Sequence, residues 1–345
     1  MKAIWITWEN QRRNREISRA LGIRLYELKE IDDIGNPAVK YSTGLLKTCC
    51  VLARERPTLV CCQNPSLVLS AFLVTIGKAA GFRVCVDAHN VGLFPAEGRS
   101  PSLMKLSAFI QRQAEITLVT NLGMHETVLK NRGRPFILQD RIPDIPKGRP
   151  LDLMGGFNIL FICSYAADEP YSLVFEAARS LEAGIHLYVT GNYRKRGIDP
   201  AGLRDNITLT GYIPEEHYVR MLCSVDATID LTSRENCLVC GAYESLAAEK
   251  PQVLSDTQAL RRYFCRGAVY APHTVRGVLE AIRRVVRERE RLAREARELK
   301  ALRAAQWELK RQALSILLEE LAGEGAHPQD ARRDIAAGMA GEAHP

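Results

Sequence analysis

Apolar and polar positions alternate in blocks along the first 120 residues, with short continuous apolar runs followed by longer segments of helical periodicity. The predicted strands cover residues 2–8, 23–27, 58–62, 83–88 and 115–120. The predicted helices cover residues 14–21, 43–56, 66–80 and 102–114. Apolar runs without polar alternation are typical of strands that are buried on both faces, as in a parallel sheet covered by helices. This part of the chain therefore predicts an α/β domain.

The alternation stops between residues 140 and 156 and then starts again. This segment holds Pro143, Pro146 and Pro150 with three glycines and little apolar periodicity, so we interpret it as an interdomain linker. Beyond it the predicted strands cover residues 157–164, 185–190, 207–209, 227–231, 251–255 and 268–271, and the predicted helices cover 172–183, 215–224 and 240–250. We therefore predict two consecutive α/β domains, at residues 1–145 and 146–305, each with a doubly wound parallel sheet.

The C-terminal part of the chain differs from both units. Residues 278–322 contain no Gly or Pro and are rich in Arg, Glu, Leu and Ala, so they predict one or two long helices. From residue 323 the composition turns to Gly, Ala, Pro, Asp and Arg. We expect residues 323–345 to form a disordered tail.

Composition limits the class of protein. Of the 345 residues, 46% are hydrophobic and 25% are charged, which is ordinary for a globular protein and excludes disorder over most of the chain. Ten cysteines are too few for a disulfide scaffold of this length. No apolar run reaches the roughly 18–20 residues needed to span a bilayer. The first residues lack the apolar core of a signal peptide, so we expect a cytoplasmic protein.

The charge balance is basic, with 47 Lys and Arg against 40 Asp and Glu and a net charge of +7. That excess suits an anionic small ligand, an anionic membrane face or a nucleic acid. No basic segment is interleaved with aromatic residues, so we do not expect nucleic-acid binding. No Gly-x-Gly-x-x-Gly sequence follows a predicted strand, which disfavours an NAD-dependent dehydrogenase.

One loop stands out as a candidate binding site. Ligands of doubly wound sheets bind outside the carboxyl ends of the strands. Residues 232–244 run from a predicted strand into a predicted helix, whose first backbone N–H groups can meet a phosphate. The Glu244 carboxylate can accept hydrogen bonds from two ribose hydroxyls, which suits nucleotide recognition. In the alternative interpretation, Glu244 is an ordinary first-turn acid that is stabilised by the helix dipole.

The same region carries a resemblance to a known family. Residues 241–251, reading Gly-Ala-Tyr-Glu-Ser-Leu-Ala-Ala-Glu-Lys-Pro, and the later pair Ser255-Asp256 resemble the donor-binding segment of GT-B glycosyltransferases of the group 1 or family 4 type. Shorter stretches that resemble this family are Asp168-Glu169-Pro170, Thr190-Gly191-Asn192, residues 206–214 and Asp87-Ala88-His89-Asn90. The resemblance covers most of residues 1–320.

The resemblance implies a GT-B fold, in which two Rossmann-like domains face a cleft and helix 306–322 crosses back to the N-terminal, acceptor-side domain. It implies hexosyl-type transfer from a nucleotide-diphosphate sugar held by the second domain, with retention of configuration and without an obligatory metal or other cofactor. The expected catalytic residue is His89. The expected donor-binding residues are Thr190, Gly191, Gly211, Tyr212, Arg234, Glu235, Gly241, Ala242 and Glu244.

The chain departs from the family pattern at three places. Glu235 and Glu244 are nine positions apart, whereas the family spacing is eight, and Asn236 stands at the eighth position. The loop at residues 8–15 has no Gly. Residues 164–171 hold no Arg or Lys that could neutralise a diphosphate. The candidates for that neutralising role are Arg194, Lys195 and Arg234.

The expected acceptor is a saccharide or a lipid-linked saccharide, as in surface polysaccharide assembly. Arg99, Lys105 and Arg112 could face anionic lipid, which suits peripheral contact with the inner membrane face. Two other functions stay open. One is a nucleotide-sugar 2-epimerase, which uses a similar cleft. The other, which the missing basic pair after Phe161 keeps open, is a non-catalytic protein that binds a nucleotide sugar or a partner.

Overall fold

The computed structural model describes residues 2–31, 33–64, 66–146 and 148–323, so the predicted tail lies outside the described residues apart from Gly323. The chain divides into two compact units. The first holds the described residues up to Arg141 and those from Gln306 to Gly323, and the second runs from Ile142 to Ala305. Both units are α/β, which confirms the predicted fold class.

The first unit contains a parallel six-stranded sheet. Its strands are β1 (Ala3–Thr7), β2 (Arg24–Glu27), β3 (Leu59–Asn64), β4 (Arg83–Ala88), β5 (Ile116–Val119) and β6 (Pro135–Ile137). They pair in the order β2-β1-β3-β4-β5-β6, so the carboxyl ends of β1, β3 and β4 lie side by side. The sequence pattern does not predict β6, because a three-residue edge strand that begins with Pro carries little apolar signal.

Helices cover the faces of this sheet. They are α1 (Arg12–Ala20), α2 (Pro37–Glu55), α3 (Leu67–Ala80), α4 (Asn90–Leu93), α5 (Pro101–Gln113) and α6 (Leu122–Lys130). Helix α2 begins earlier than predicted because the Asn36 side chain accepts hydrogen bonds from the backbone N–H groups of Ala38 and Val39. The pattern also misses α6, which Asn121 caps by accepting a hydrogen bond from Met124 N at 3.1 Å.

The second unit contains another parallel six-stranded sheet. Its strands are β7 (Phe157–Phe161), β8 (Ile185–Thr190), β9 (Ile207–Gly211), β10 (Ala227–Asp230), β11 (Gln252–Ser255) and β12 (Ala268–Ala271). They pair in the order β12-β11-β10-β7-β8-β9. The chain moves outward from β7 to β9 and then returns to place β10 on the other side of β7. This reversal is the switch point at which doubly wound sheets bind their ligands.

The helices of the second unit are α7 (Tyr171–Ala178), α8 (Glu215–Ser224), α9 (Cys240–Ala247), α10 (Gln258–Tyr263), α11 (Val275–Arg287) and the start of α12 (Arg289–Ala322). The prediction of one or two long helices after residue 278 is confirmed as two. Early in α12, Leu292 and Leu299 are buried in the second unit. Later in the same helix, Trp307 and Leu314 are buried against the first-unit sheet beside Trp5. The C-terminal helix therefore returns to the first unit.

The predicted linker at residues 140–156 is packed rather than free over much of its length. Ile142 is buried with Leu246 and Leu299, and Leu151 and Leu153 pack against a cluster from the second unit. Apolar side chains in this Pro-rich segment thus belong to the second unit from Ile142 onward. Among the described residues, no helix is both long enough and apolar enough to cross a membrane.

Candidate functional site

The loops after β7 and β10 are tied together at the switch point of the second unit. Thr232 donates a hydrogen bond from its hydroxyl to Asp168 Oδ2 at 2.7 Å, and the backbone N–H of Ser233 donates to the Asp168 carbonyl at 2.7 Å. The guanidinium of Arg234 lies 3.4 Å from Asp168 Oδ1. These contacts hold the Arg234 side chain at the carboxyl end of the sheet with about 30% of it exposed to solvent.

The loop after β7, which holds no Arg or Lys, is stabilised by the carboxylate of Glu169. Glu169 accepts hydrogen bonds from the backbone N–H groups of Ser164, at 2.8 Å, and Ala166, at 3.0 Å. The Ser164 hydroxyl donates to the same carboxylate at 2.8 Å. The Glu169 side chain therefore stabilises the loop to which it belongs. This loop has no positively charged side chain that could contact a ligand.

Helix α9 begins directly above the end of β10. Asp230 is buried, and its carboxylate accepts hydrogen bonds from the backbone N–H groups of Gly241 and Ala242 in the first turn of α9. Burial raises the pKa of Asp230 well above its usual range, and the negative charges of Glu169 and Glu244 raise it further. The predicted residues Gly241 and Ala242 thus lie at the expected place, with their N–H groups bound to a carboxylate of the same chain.

Glu244 stands one turn further along α9, with a partner that the sequence analysis misses. The Tyr218 hydroxyl, from α8, donates a hydrogen bond to Glu244 Oε2. Burial and the adjacent Glu244 charge raise the pKa of Tyr218 far above its ordinary value, so its hydroxyl stays a donor. The two residues are 26 positions apart, and nothing local in the sequence signals the contact.

Three of the predicted donor-binding residues, Thr190, Gly191 and Gly211, lie at the carboxyl ends of β8 and β9. The Thr190 hydroxyl accepts a hydrogen bond from Cys163 N at 3.0 Å, so it is engaged with the end of β7. Gly191 has φ +89° and approaches Cys163 so closely that a β-carbon would lie 2.2 Å from its carbonyl oxygen. The Gly191 N–H donates to the Gly211 carbonyl at 3.1 Å. Next to Gly211, Tyr212 is 88% exposed and projects into solvent.

Glu235 is turned toward a different helix from the other predicted donor-binding residues. Its carboxylate accepts a hydrogen bond from the backbone N–H of Gln258, at 2.7 Å, where α10 begins. Helix N-termini favour a negative charge at that position. The structure therefore brings Asp168, Arg234, Gly241, Ala242 and Glu244 to the switch point, and gives Glu235 a structural role at α10.

Basic residues follow β8, in a short 3-10 turn at residues Tyr193–Arg196. Arg194 and Lys195 are exposed there, and the Arg194 guanidinium lies 5.7 Å from the centre of the Tyr193 ring. Arg196, which the sequence analysis does not single out, donates from Nε to the Tyr165 carbonyl at 2.8 Å. This bond holds Tyr165 at φ +61°, a strained conformation for a non-glycine residue.

A separate polar cluster occupies the carboxyl ends of β1, β3 and β4 in the first unit. His89 follows β4, and its Nε2 lies 2.8 Å from the Gln63 amide nitrogen and 3.5 Å from Asp87 Oδ2. Arg13, buried on α1, donates to Asp87 through Nε and Nη2 at 2.8–3.1 Å and to Asp140 at 2.6 Å. Burial acts to raise the pKa of Asp87, but the charges and hydrogen bonds of Arg13 and His89 together outweigh it and hold that pKa well below its usual range.

The described residues contain no group of three or more His, Cys, Asp or Glu side chains placed to hold a metal ion. The charges of Glu169 and Glu244 act on the Asp230 carboxylate, but the three side chains do not form such a group.

Residues 171–317 match the family model described as glycosyl transferase-like. No curated protein matches the sequence significantly. The chain is similar in structure to sucrose-phosphate synthase of Thermosynechococcus elongatus, with a TM-score of 0.74 and 13% identity over 93% of this chain and 99% of that one. It is also similar to Anabaena HepE in complex with UDP, with a TM-score of 0.69 and 10% identity over 92% and 100% of the two chains.

A third similar structure is the lipopolysaccharide outer core galactosyltransferase WaaB, with a TM-score of 0.62 and 12% identity over 92% of this chain and 100% of that one. Identities this low show a shared fold. The chain thus has the two-domain GT-B fold of these structures, and its residues 171–317 resemble a glycosyl transferase-like family.

Proposed function

We propose that this protein transfers a sugar from a nucleotide-diphosphate sugar to a saccharide or lipid-linked acceptor, with retention at the anomeric carbon, in the assembly of a surface polysaccharide or another glycan. The observation that carries the proposal is the position of Glu244. Its carboxylate stands on α9 beside the switch point, and Tyr218 holds one of its oxygens. A carboxylate can accept about four hydrogen bonds, so that of Glu244 can also accept those of ribose hydroxyls.

The donor diphosphate would lie against the first turn of α9 and the loop after β10. Arg234 supplies a positive charge at the end of β10, and Arg194 and Lys195 supply two more after β8. Positive groups held in place before the reaction stabilise the charge that develops on a diphosphate leaving group. The absence of basic residues between positions 164 and 171 is thus offset by cations from two neighbouring loops.

Uridine diphosphate sugars are the first donors to test. HepE, which has the same fold, is described in complexes with UDP and with UDP-glucose. We propose His89 as the residue of the first unit that contacts the transferred sugar or its phosphate. We further propose that transfer needs no metal or other cofactor, which predicts equal rates in EDTA and in added magnesium.

The experiment is a thermal-shift panel of UDP, GDP, ADP, TDP and CMP. A ligand at 100 times its Kd adds about 2.7 kcal/mol of stability. We expect one diphosphate to raise Tm in the wild type and to have little effect on Glu244→Ala. The matched control is Glu216→Ala, because Glu216 is an exposed glutamate on α8 of the same unit. No shift with any nucleotide in a well-folded sample would overturn the donor site.

A second candidate function has one observation in its favour. Asp230 accepts the first N–H groups of α9, where a phosphate would otherwise bind, which suits a protein that binds its nucleotide weakly and catalyses nothing. Such a protein would bind the nucleotide sugar without releasing diphosphate, whether or not an acceptor is present. A nucleotide-sugar 2-epimerase would interconvert two nucleotide sugars without an acceptor. Following the donor by NMR separates all three functions, and the product's anomeric coupling tests retention.

A lipid-linked acceptor would bring the protein to an anionic membrane face, and a basic pocket on the first unit supports this part of the proposal. The pocket has a volume of about 340 Å³ and is lined by Lys105, Ala108, Arg112, Lys130, Asn131 and Arg132. Within the described part of the chain, none of its four cations pairs with a carboxylate. Each basic residue near an anionic surface contributes about 1 kcal/mol of attraction.

Vesicle flotation tests this contact. We expect binding to vesicles that contain phosphatidylglycerol, weaker binding to pure phosphatidylcholine, and loss of the difference in high salt. Lys105→Ala/Arg132→Ala should weaken flotation, whereas Lys2→Ala/Lys78→Ala removes the same charge from elsewhere on the unit and should not. Equal flotation of both double variants would overturn the pocket as the contact.

A further inference from the structure

The amide of Gln63 lies between two sets of hydrogen bonds in the first unit, at the end of β3. Its oxygen accepts a hydrogen bond from Asn14 Nδ2, and its nitrogen faces His89 Nε2 at 2.8 Å. An amide has one donating end and one accepting end, so its orientation decides what the facing ring nitrogen must be. If Gln63 donates, then His89 Nε2 carries no proton.

The indole of Trp5 determines the orientation from one side. Its Nε1–H lies 3.0 Å from Asn14 Oδ1, and an indole N–H can only donate. The accepting end of Asn14 is therefore occupied by Trp5, and its Nδ2 must donate to the next residue. That residue is Gln63, whose oxygen accepts, so its nitrogen is left to face His89.

A carboxylate determines the same orientation independently from the other side. Glu9 Oε2 accepts a hydrogen bond from Gln11 Nε2 at 2.9 Å, and an ionised carboxylate can only accept. The oxygen of Gln11 is thus free to accept from the Gln63 nitrogen, and the two are in hydrogen-bond contact. Two chains of hydrogen bonds, one starting at an obligate donor and one at an obligate acceptor, require the same orientation of Gln63.

We propose that Gln63 is a positioning residue that fixes neutral His89 in the tautomer with the proton on Nδ1. Both hydrogens of the Gln63 amide are then used, one on Gln11 and one on His89 Nε2. Within the described part of the chain, His89 Nδ1 has no hydrogen-bond partner, and the side chain is 28% exposed. His89 thus presents a ring N–H, which can donate to a ligand oxygen such as a sugar hydroxyl or a phosphate.

Asp87 competes with Gln63 in determining which ring nitrogen of His89 carries the proton. Its Oδ2 lies 3.5 Å from the same ring nitrogen and would by itself favour a proton on Nε2. Arg13 already donates to that carboxylate oxygen at 2.9 Å, which reduces its pull on the ring. The closer Gln63 donor then decides the tautomer. Removing Gln63 should therefore move the proton to Nε2 rather than leave the ring unchanged.

NMR of the full chain with ¹⁵N-labelled histidine tests the proposal, since the two ring nitrogens give distinct shifts in each tautomer. The His89 signals are identified by their loss in His89→Gln. At pH 8 we expect Nδ1 in the protonated range and Nε2 in the unprotonated range. The opposite pattern in the wild type would overturn the proposal.

Two variants test the hydrogen-bond chain itself. Trp5→Phe keeps an aromatic core residue but releases Asn14, so Gln63 is oriented from the Glu9 side alone, and we expect a minor population of the Nε2–H tautomer beside the Nδ1–H form. Trp8→Phe is the matched control. The Trp8 indole donates to the hydroxyl of Thr48, at 3.1 Å, and takes no part in the hydrogen bonds that orient Gln63. Gln63→Met removes the donor directly and should give the Nε2–H form. An unchanged His89 spectrum in both Trp5→Phe and Gln63→Met would overturn the proposal.

The importance of this tautomer for transfer rests on the proposed function, and kinetics examine that part separately. If His89 donates through Nδ1–H to the donor or acceptor, Gln63→Met should lower kcat/KM about tenfold, the effect of one neutral hydrogen bond, with KM for the nucleotide sugar little changed. If the spectra are as expected but Gln63→Met has unchanged kinetics, the Nδ1–H group of His89 plays no part in transfer. The tautomer assignment would still hold.

Discussion

The carboxylate of Asp230 occupies the space that a β-carbon at position 241 would need. Only 2.4 Å would separate Asp230 Oδ2 from such a carbon, and two carbons of Ile162 would lie at 2.9 Å. Glycine at 241 therefore allows α9 to begin directly on the buried carboxylate. The acid and the glycine depend on each other, and both belong to the site proposed for the donor diphosphate.

Gly241→Ala should destabilise the second unit and weaken nucleotide binding together. Forcing a methyl group into this packed space costs about 1–3 kcal/mol, because the start of α9 must move. Thermal unfolding and the nucleotide-induced Tm shift measure the two effects. Gly202→Ala is the control, since a β-carbon there would meet no atom within 4 Å. Equal Tm values for the two variants would contradict the close packing of Asp230 and Gly241.

Asp230→Asn should gain stability over the wild type as the pH rises. The pKa of Asp230 is raised in the folded state, so its contribution is fully present below the pKa of an unfolded aspartate, about 4, and is lost as pH rises through the folded value. The asparagine never acquires this buried charge. We expect the Tm of the variant relative to wild type to increase between pH 5 and pH 9. A constant difference would mean that Asp230 does not titrate over this range.

The sequence pattern predicts every described strand except β6, an edge strand of the first sheet. The interior strand Arg83–Ala88 has the predicted bounds, because its continuous apolar run is flanked by Gly81 and a polar loop. Strand β6 is missed, since three residues that pair on one side only need no such run. Strand β6 is also the shortest of the described strands, so its length rather than its burial explains why the pattern does not reveal it.

The residues of the candidate site also differ in whether the local sequence reveals them. Gly241 and Glu244 belong to one contiguous segment that resembles a known family, so the sequence alone predicts them as donor-binding residues. Tyr218 contacts Glu244 across 26 positions, and Arg13 contacts Asp87 across 74, so neither pair leaves a local signal. Glu235 is a donor-binding residue only by the family resemblance, and in the structure its carboxylate accepts a hydrogen bond from Gln258 N at the start of α10.

Tyr218→Phe should weaken donor binding without removing it. The Tyr218 hydroxyl donates to one oxygen of Glu244 and so orients the carboxylate toward its ligand. Losing one hydrogen bond to a charged group costs about 1.5–3 kcal/mol, which corresponds to a rise in Kd of tenfold or more. Isothermal titration with UDP measures the change. Tyr212→Phe is the control, because Tyr212 is exposed nearby. Affinity unchanged in Tyr218→Phe and lost in Glu244→Ala would show that Glu244 needs no orienting partner.

Arg13→Met should destabilise the first unit most strongly near neutral pH. The variant leaves Asp87 buried without its cation, and breaking a buried ion pair in this way costs about 3–5 kcal/mol. In the wild type the pKa of Asp87 is lowered, so its contribution is present above about pH 4 and is lost as pH falls toward the folded value. In Arg13→Met only His89 still opposes the effect of burial on the Asp87 pKa, and protonation of Asp87 in acid relieves the poorly paired charge.

The difference in Tm between wild type and Arg13→Met should therefore be large at pH 7 and narrow as the pH falls below 5. Arg13→Met/Asp87→Asn provides the check, since removing the stranded charge should recover part of the lost stability at pH 7 and make the loss independent of pH. A loss of equal size at pH 4 and pH 7 in the single variant would assign the role of Arg13 to packing instead of charge.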